Sequence, residues 1–168
     1  MTVTGKTKVY GIFGNPVEHS FSPVIQNAAF KALNLDCLYA PFQVSNLPDA
    51  VKGMKAMNIQ GLSITIPFKV EILSLLDEID PLAEKIGAVN TVVNQKGVLK
   101  GYNTDGAGAL EALKEITPVK DKTILILGYG GAARPIAFAL SQEKPKAIYI
   151  AGRKESEAGK LAKEIQDK

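Results

Sequence analysis

The chain has 168 residues, 46% apolar and 22% charged, the profile of an ordinary globular protein with room for one large domain or two small ones. Its net charge of +3 comes from lysines scattered along the whole sequence, a pattern that argues against a nucleic-acid partner. Cys37 is the only cysteine, which excludes an internal disulfide; no segment approaches the ~20 apolar residues of a membrane span, and residues 1–10 lack a signal peptide's apolar stretch, so a cytoplasmic protein is expected.

Strand-like and helix-like segments alternate, which predicts an α/β fold. A strand over 9–13 is stopped by Gly14-Asn15-Pro16, and a helix over 23–33 follows with Val24, Ala28 and Leu35 near the 3.6-residue period. A strand over 38–44 and a helix over 47–57 come next, the helix capped by Asn46. Residues 61–66 predict a third strand ended by Pro67. Val70, Leu73, Leu76 and Ile79 then predict a helix over 68–79, and Pro81 restarts the chain. Segments 88–94 and 98–102, separated by Gln95-Lys96-Gly97, predict a hairpin, so the first sheet is expected to be mixed, mainly parallel and covered by helices on both faces.

A helix over 106–116 leads to Thr117-Pro118 and the charged stretch Lys120-Asp121-Lys122. Beyond it, strands over 123–127 and 147–151 with helices over 131–140 and 155–165 make one βαβ unit plus a helix, the first half of a Rossmann dinucleotide-binding domain. The expected division is a first α/β domain over 1–104 and a partial Rossmann domain over 105–168, which includes the crossover helix. A dinucleotide domain normally has two such halves, so truncation is expected, and the strand edge it leaves at 123–127 predicts a homo-oligomer.

Gly128-Tyr129-Gly130-Gly131-Ala132-Ala133 reads G-x-G-x-x-A directly after a strand. Gly128 permits the tight turn and Gly130 a close phosphate approach, while backbone N–H groups from Gly130 through Gly131 to Ala132 point at a pyrophosphate; the plainer alternative is a tight strand-to-helix connection. The second strand of this unit ends in Gly152-Arg153-Lys154, with cations where an NAD site usually carries an acid. NADP is therefore the expected cofactor, with Arg153 bidentate on the 2′-phosphate and Lys154 as a point charge, against the alternative of two exposed basic residues.

Lys69 and Asp105 each stand where an apolar run gives way to polar chain, and they are the candidate acid/base pair of a dehydrogenase; a simple interdomain salt bridge is the alternative. His19, the sole histidine, is read as a polar loop residue, and no metal site is expected. Tyr102 and Tyr129 stay open between lining a site and packing a junction.

The ordered segments Gly14-Asn15-Pro16-Val17, His19-Ser20-Phe21-Ser22-Pro23, Thr65-Ile66-Pro67-Phe68-Lys69, Gly87-Ala88-Val89-Asn90-Thr91, Asn103-Thr104-Asp105-Gly106 and Gly128-Tyr129-Gly130-Gly131-Ala132 resemble the motifs of the shikimate dehydrogenase family. The resemblance implies reversible NADPH-dependent reduction of 3-dehydroshikimate to shikimate, in aromatic amino-acid biosynthesis. It also implies that Ser20 and Ser22 hold the substrate carboxylate, that Thr65, Asn90 and Asp105 surround the ring hydroxyls, and that Lys69 lies closest to the reacting C–O bond. Gly152 and Lys154 depart from the family's asparagine and its serine or threonine. The absent C-terminal part supplies the nicotinamide end of the site in the family, so binding of substrate without turnover is one expected behaviour. Two other readings stand beside this one: a quinate/shikimate dehydrogenase using NAD, and a non-catalytic small-carboxylate binding module. Arg153-Lys154 and the Ser20/Ser22 pair weigh against the first, and retention of Lys69 and Asp105 against the second.

Overall fold

β1 (Lys8–Gly14) leads through α1 (Ser22–Ala32) to β2 (Cys37–Gln43), and β2 leads through α2 (Leu47–Ala56) to β3 (Gly61–Ile64). Both β2 and β3 pair with β1 in parallel, one on each side. The computed structural model describes residues 2–166, which cluster into one unit ending at Tyr102 and a second beginning at Asn103. A 3₁₀ turn (Glu71–Leu75), β4 (Glu78–Ile79) and α3 (Pro81–Ile86) precede the hairpin of β5 (Thr91–Gln95) and β6 (Val98–Tyr102). Lys96 and Gly97 close that hairpin with φ of 56° and 95°, the doubly positive turn whose twist matches that of the strands. The six-stranded sheet has the order β2-β1-β3-β5-β6-β4, and β5 alone runs against the other five.

Alternation along the strands divides the apolar side chains between two faces. Phe13, Leu62, Ile64 and Val92 point into the main core with Leu47, Val51 and Met54 of α2, Ile72 of the 3₁₀ turn and Ala83 of α3. On the other face Ile12 and Tyr39 pack with Val17, Tyr10 and Phe30 of α1. Asn46 caps α2 by accepting from the Asp49 N–H at 3.1 Å.

Two expectations are corrected. The helix over 68–79 is instead the 3₁₀ turn followed by β4, because the edge of β6 takes the backbone groups: the Asp77 N–H donates to the Leu99 carbonyl at 3.1 Å and the Asp80 N–H to the Gly101 carbonyl at 2.8 Å. The apolar stripe assigned to α1 is not its buried face, since Val24 and Leu35 are 68% and 47% exposed. Asn27 and Phe30 face the sheet in its place, Phe30 with its ring 5.4 Å from that of Tyr10. Residues 81–86, given no element in the sequence analysis, form a helix capped by Asp80 on the Leu82 N–H and ended by Gly87 at φ 72°.

Asp77 accepts from the Leu99 N–H at 2.6 Å and from Lys55 Nζ at 2.7 Å. The Leu99 bond first, and Lys55 second, hold its carboxyl below its ordinary value of 3.8. A depressed folded-state pKa contributes stability above the unfolded value and loses it as pH falls through the folded one. Asp77→Ala is expected to cost about 1 kcal/mol at neutral pH, a difference that urea titrations should show closing below roughly pH 4.

In the second unit α4 (Asp105–Lys114) precedes β7 (Thr123–Leu127), α5 (Ala133–Ser141), β8 (Ala147–Ala151) and α6 (Glu155–Gln166). β7 and β8 are parallel, with Thr123 opposite Ala147 and Leu127 opposite Ala151. α5 buries Pro135, Ala137, Phe138 and Leu140, and Arg134 ties it to α6 through Glu164 at 2.6 Å. Among the described residues β7 has no second strand neighbour, and Leu125, Leu127 and Tyr149 are exposed.

Candidate functional site

Parallel strands present their C-terminal ends along one sheet edge, where α/β proteins place ligands. In the first unit that edge gathers the backbone of three candidate residues. The Thr65 N–H, just past β3, donates to the Phe13 carbonyl at 2.9 Å, and the Asn15 N–H donates to the Ile66 carbonyl at 3.0 Å. The Lys69 carbonyl accepts from the Val89 N–H at 2.8 Å, and the Asn90 carbonyl from the Ile64 N–H at 2.7 Å. The Asn90 N–H in turn donates to the Tyr102 carbonyl at 3.0 Å, and its Oδ1 accepts from the Thr91 hydroxyl at 2.9 Å. Thr65, Lys69 and Asn90 are each partly buried.

Ser20 and Ser22 lie at the N-terminus of α1, with Ser20 Oγ accepting from the Ser22 N–H at 3.2 Å. Asn27 fastens that first turn to β2: its Nδ2 donates to the Pro23 and Tyr39 carbonyls at 2.8 and 2.9 Å, and its Oδ1 accepts from the Tyr39 N–H at 2.9 Å. His19 is exposed. Asn27 and Tyr39 are not among the candidates read from the sequence, because their bonds join positions 12 residues apart and leave no local signal.

Asp105 belongs to the second unit, where it is the first residue of α4. Its N–H donates to Asn103 Oδ1 at 3.1 Å, and Asn103 is buried. A carboxylate at a helix N-terminus is favoured by the exposed N–H dipoles.

After β7 the chain turns at Gly128, whose φ of 115° excludes other side chains without strain. The Gly128 N–H donates to the Ala151 carbonyl at 2.7 Å. Tyr129 and Gly130 line a cavity of about 700 Å³ with Leu127, Gly128, Ala151, Gly152 and Arg153. A Cβ on Gly130 would meet no protein atom within 4 Å, so glycine there leaves room for an outside group to approach the backbone. Gly131 and Ala132 continue the turn into α5, whose N-cap Ala132 makes no side-chain cap bond. The Arg153 guanidinium is the one charge among the lining residues, and Lys154 beside it is exposed. This donor set fits a phosphate-bearing dinucleotide.

Tyr129 lines this cavity with its ring over Gly152, whose Cβ would lie 2.5 Å from that ring. Glycine at 152 thus has a packing cause within the chain. No group of three or more His, Cys, Asp or Glu among the described residues is arranged to hold a metal ion, and no described helix is long and apolar enough to cross a membrane.

A βαβ unit with a glycine-rich turn between strand and helix is an arrangement by which α/β folds bind dinucleotides. The model of the shikimate dehydrogenase substrate-binding domain matches residues 12–92, and that of shikimate/quinate 5-dehydrogenase matches residues 111–168. The chain belongs to the shikimate dehydrogenase family. It is 52% identical over 169 residues to the shikimate dehydrogenase (NADP(+)) of Methanocaldococcus jannaschii, covering 99% of this chain and 59% of that protein. A crystal structure of a shikimate dehydrogenase in complex with NADP+ superposes with a TM-score of 0.94 at 51% identity, over 99% of this chain and 58% of that one. The Thermus thermophilus enzyme in complex with NADP(H) and shikimate gives 0.88 at 36% identity, over 95% and 61%. The chain therefore spans 59% of the length of the first curated relatives it matches.

Proposed function

We propose that this chain carries the substrate unit and the first half of the cofactor unit of an NADP-dependent shikimate dehydrogenase. The observation that carries the reading is the convergence of Thr65, Lys69 and Asn90 on one sheet edge, in a chain half identical to relatives that bear that name. In the reaction, reversible reduction of 3-dehydroshikimate to shikimate, a bound nicotinamide dinucleotide supplies the hydride. Ser20 and Ser22 donate to the substrate carboxylate, two short hydroxyls whose ordering costs little entropy. Thr65, Asn90 and Asp105 hydrogen-bond the ring hydroxyls. Lys69 donates a proton to the ketone oxygen and recovers it in the reverse direction, with Asp105 orienting the ammonium.

Gly128, Gly130, Gly131 and Ala132 hold the pyrophosphate through backbone N–H groups. Arg153 and Lys154 take the 2′-phosphate. Domain limits of 1–104 and 105–168 divide the two roles, and a homo-oligomer belongs to the same proposal.

Absorbance at 340 nm with shikimate or quinate and NADP or NAD tests the reading on the whole gene product, alongside calorimetry with shikimate. Preference for quinate and NAD would favour the quinate-type enzyme, and binding without any absorbance change a carboxylate-binding module. Arg153→Ala is expected to raise KM for NADP about 10- to 100-fold, the value of a charge-assisted bidentate contact, and to leave KM for NAD nearly unchanged. Equal changes for the two cofactors would remove Arg153 from the 2′-phosphate site.

A further inference from the structure

Tyr129 stands between Gly128 and Gly130 in the turn after β7, and its ring reaches across to the end of β8. A Cβ on Gly152 would lie 2.5 Å from the Tyr129 Cε1, 2.6 Å from its Cδ1 and 3.8 Å from its Cζ, and these are the three nearest atoms. The backbone at 152 does not itself require glycine, since the positive-φ glycines of the described residues are Gly87, Gly97 and Gly128. It is the ring that keeps a side chain out of position 152. Tyr129 and Gly152 are therefore a matched pair, one filling the space that the other leaves. Packing on Gly152 uses only part of the ring, because Tyr129 is partly buried and lines the cavity together with Gly130 and Arg153.

We propose that Tyr129 is a further binding residue of the cofactor site, its ring the surface on which the adenosine ribose lies, with glycine at 152 making room for it. The inference rests on the reading of this cavity as the dinucleotide site. In NADP the 5′-oxygen of that ribose carries the pyrophosphate, and its 2′-oxygen carries the extra phosphate. The glycine turn takes the first group and Arg153 the second, so the ribose spans the distance from turn to strand end. Tyr129 makes the same span in the protein: its backbone belongs to the turn, and its ring lies over the residue before Arg153. A ribose presents C–H groups where its hydroxyls leave them bare, and an aromatic ring covers such a surface without demanding a hydrogen bond. This sugar is common to both dinucleotides, so the ring adds affinity for NADP and NAD alike, while Arg153 separates the two.

Tyr129→Ala tests this by calorimetric titration of the protein with adenosine 2′,5′-bisphosphate, with ADP, which lacks the 2′-phosphate, and with inorganic pyrophosphate, which lacks the ribose. The expected result is a loss of about 3- to 10-fold for the two nucleotides, the worth of an aromatic contact, and at most a twofold change for pyrophosphate. Tyr129→Phe, which keeps the ring, should stay within twofold of the unsubstituted protein for all three. Gly152→Ala drives a Cβ into the ring and should lose as much as Tyr129→Ala, yet cost nothing further once residue 129 is alanine. Unchanged nucleotide affinity in Tyr129→Ala overturns the inference, and so does a loss confined to the bisphosphate, which would put the effect at the 2′-phosphate. An equal loss for pyrophosphate also overturns it, since that is what a ring that merely shapes the turn produces. Additive losses in the double variant, or a loss in Tyr129→Phe as large as in Tyr129→Ala, do the same. If the unsubstituted protein binds neither nucleotide, it is the dinucleotide reading of the cavity that fails, and the inference falls with it.

Discussion

Lys69→Ala is expected to lower kcat for shikimate oxidation about 10²- to 10⁴-fold, the range for losing a positioned proton-transfer group, with little change in KM. The reasoning starts from charge. Hydride arrival at a ketone carbon leaves negative charge on its oxygen, and an ammonium within hydrogen-bond reach is worth most at that moment, not in the ground state. An interaction confined to the transition state appears in kcat, whereas one shared by ground and transition states appears in KM. A tenfold rise in KM at constant kcat would therefore reduce Lys69 to a binding residue. Asp105→Asn supplies the second leg. If ammonium and carboxylate act as a unit, the double variant costs no more than the worse single variant; additive losses would mean that they act independently.

How much the sequence shows of such a site depends on the range of the interactions that build it. Asn46 announces its cap three residues ahead of the N–H it accepts, and the hairpin at Lys96-Gly97 declares itself by its glycine, which sits at φ 95°. Signals of this kind are local and survive translation into structure. The run Val70, Leu73, Leu76, Ile79 misleads because its spacing of three suits a 3₁₀ turn as well as an α-helix, and what decides is β6, about twenty residues downstream, which captures the backbone of 77–80. Asp80, Pro81 and Gly87 carried the capping signals of α3 in plain view.

α1 shows the opposite failure. Its apolar residues follow a helical period, but the buried side is fixed by Asn27 bonding to β2, and hydropathy gives no weight to an asparagine. The candidate residues of the first unit were legible as motifs along the chain. That Asn90 is pinned between Ile64 and Tyr102, and that Tyr39 reaches Ser63, are pairings across strands 24 or more positions apart in the second case and 12 or more in the first. Such pairings leave no local trace.

Gly106→Ala is expected to destabilise the second unit by about 2 kcal/mol, against the usual gain from replacing a helical glycine. Alanine is favoured over glycine inside a helix by about 1 kcal/mol. At this position, however, a Cβ would overlap the carbonyl oxygen of Pro135 and stand 2.9 Å from its carbon and 3.1 Å from the Ala139 Cβ. The obstacle is the backbone of α5, which cannot swing aside as a side chain can, so the overpacking cost falls near the top of the range, roughly 3 kcal/mol. Packing wins, and α4 must move off α5. A net loss of that size shifts the Tm of a small domain by roughly 10 °C, measurable by circular dichroism. Gly108→Ala, two residues along the same helix, is the control: its Cβ meets nothing within 4 Å, so the propensity gain stands alone and Tm is expected to rise. Equal behaviour of the two variants would mean that α4 does not lie against α5 through Gly106. Asp105 is the neighbouring residue, so the displacement in Gly106→Ala is also expected to lower kcat, an effect Gly108→Ala should lack; in this helix the glycine that permits close packing and the carboxylate assigned to the substrate occupy adjacent positions.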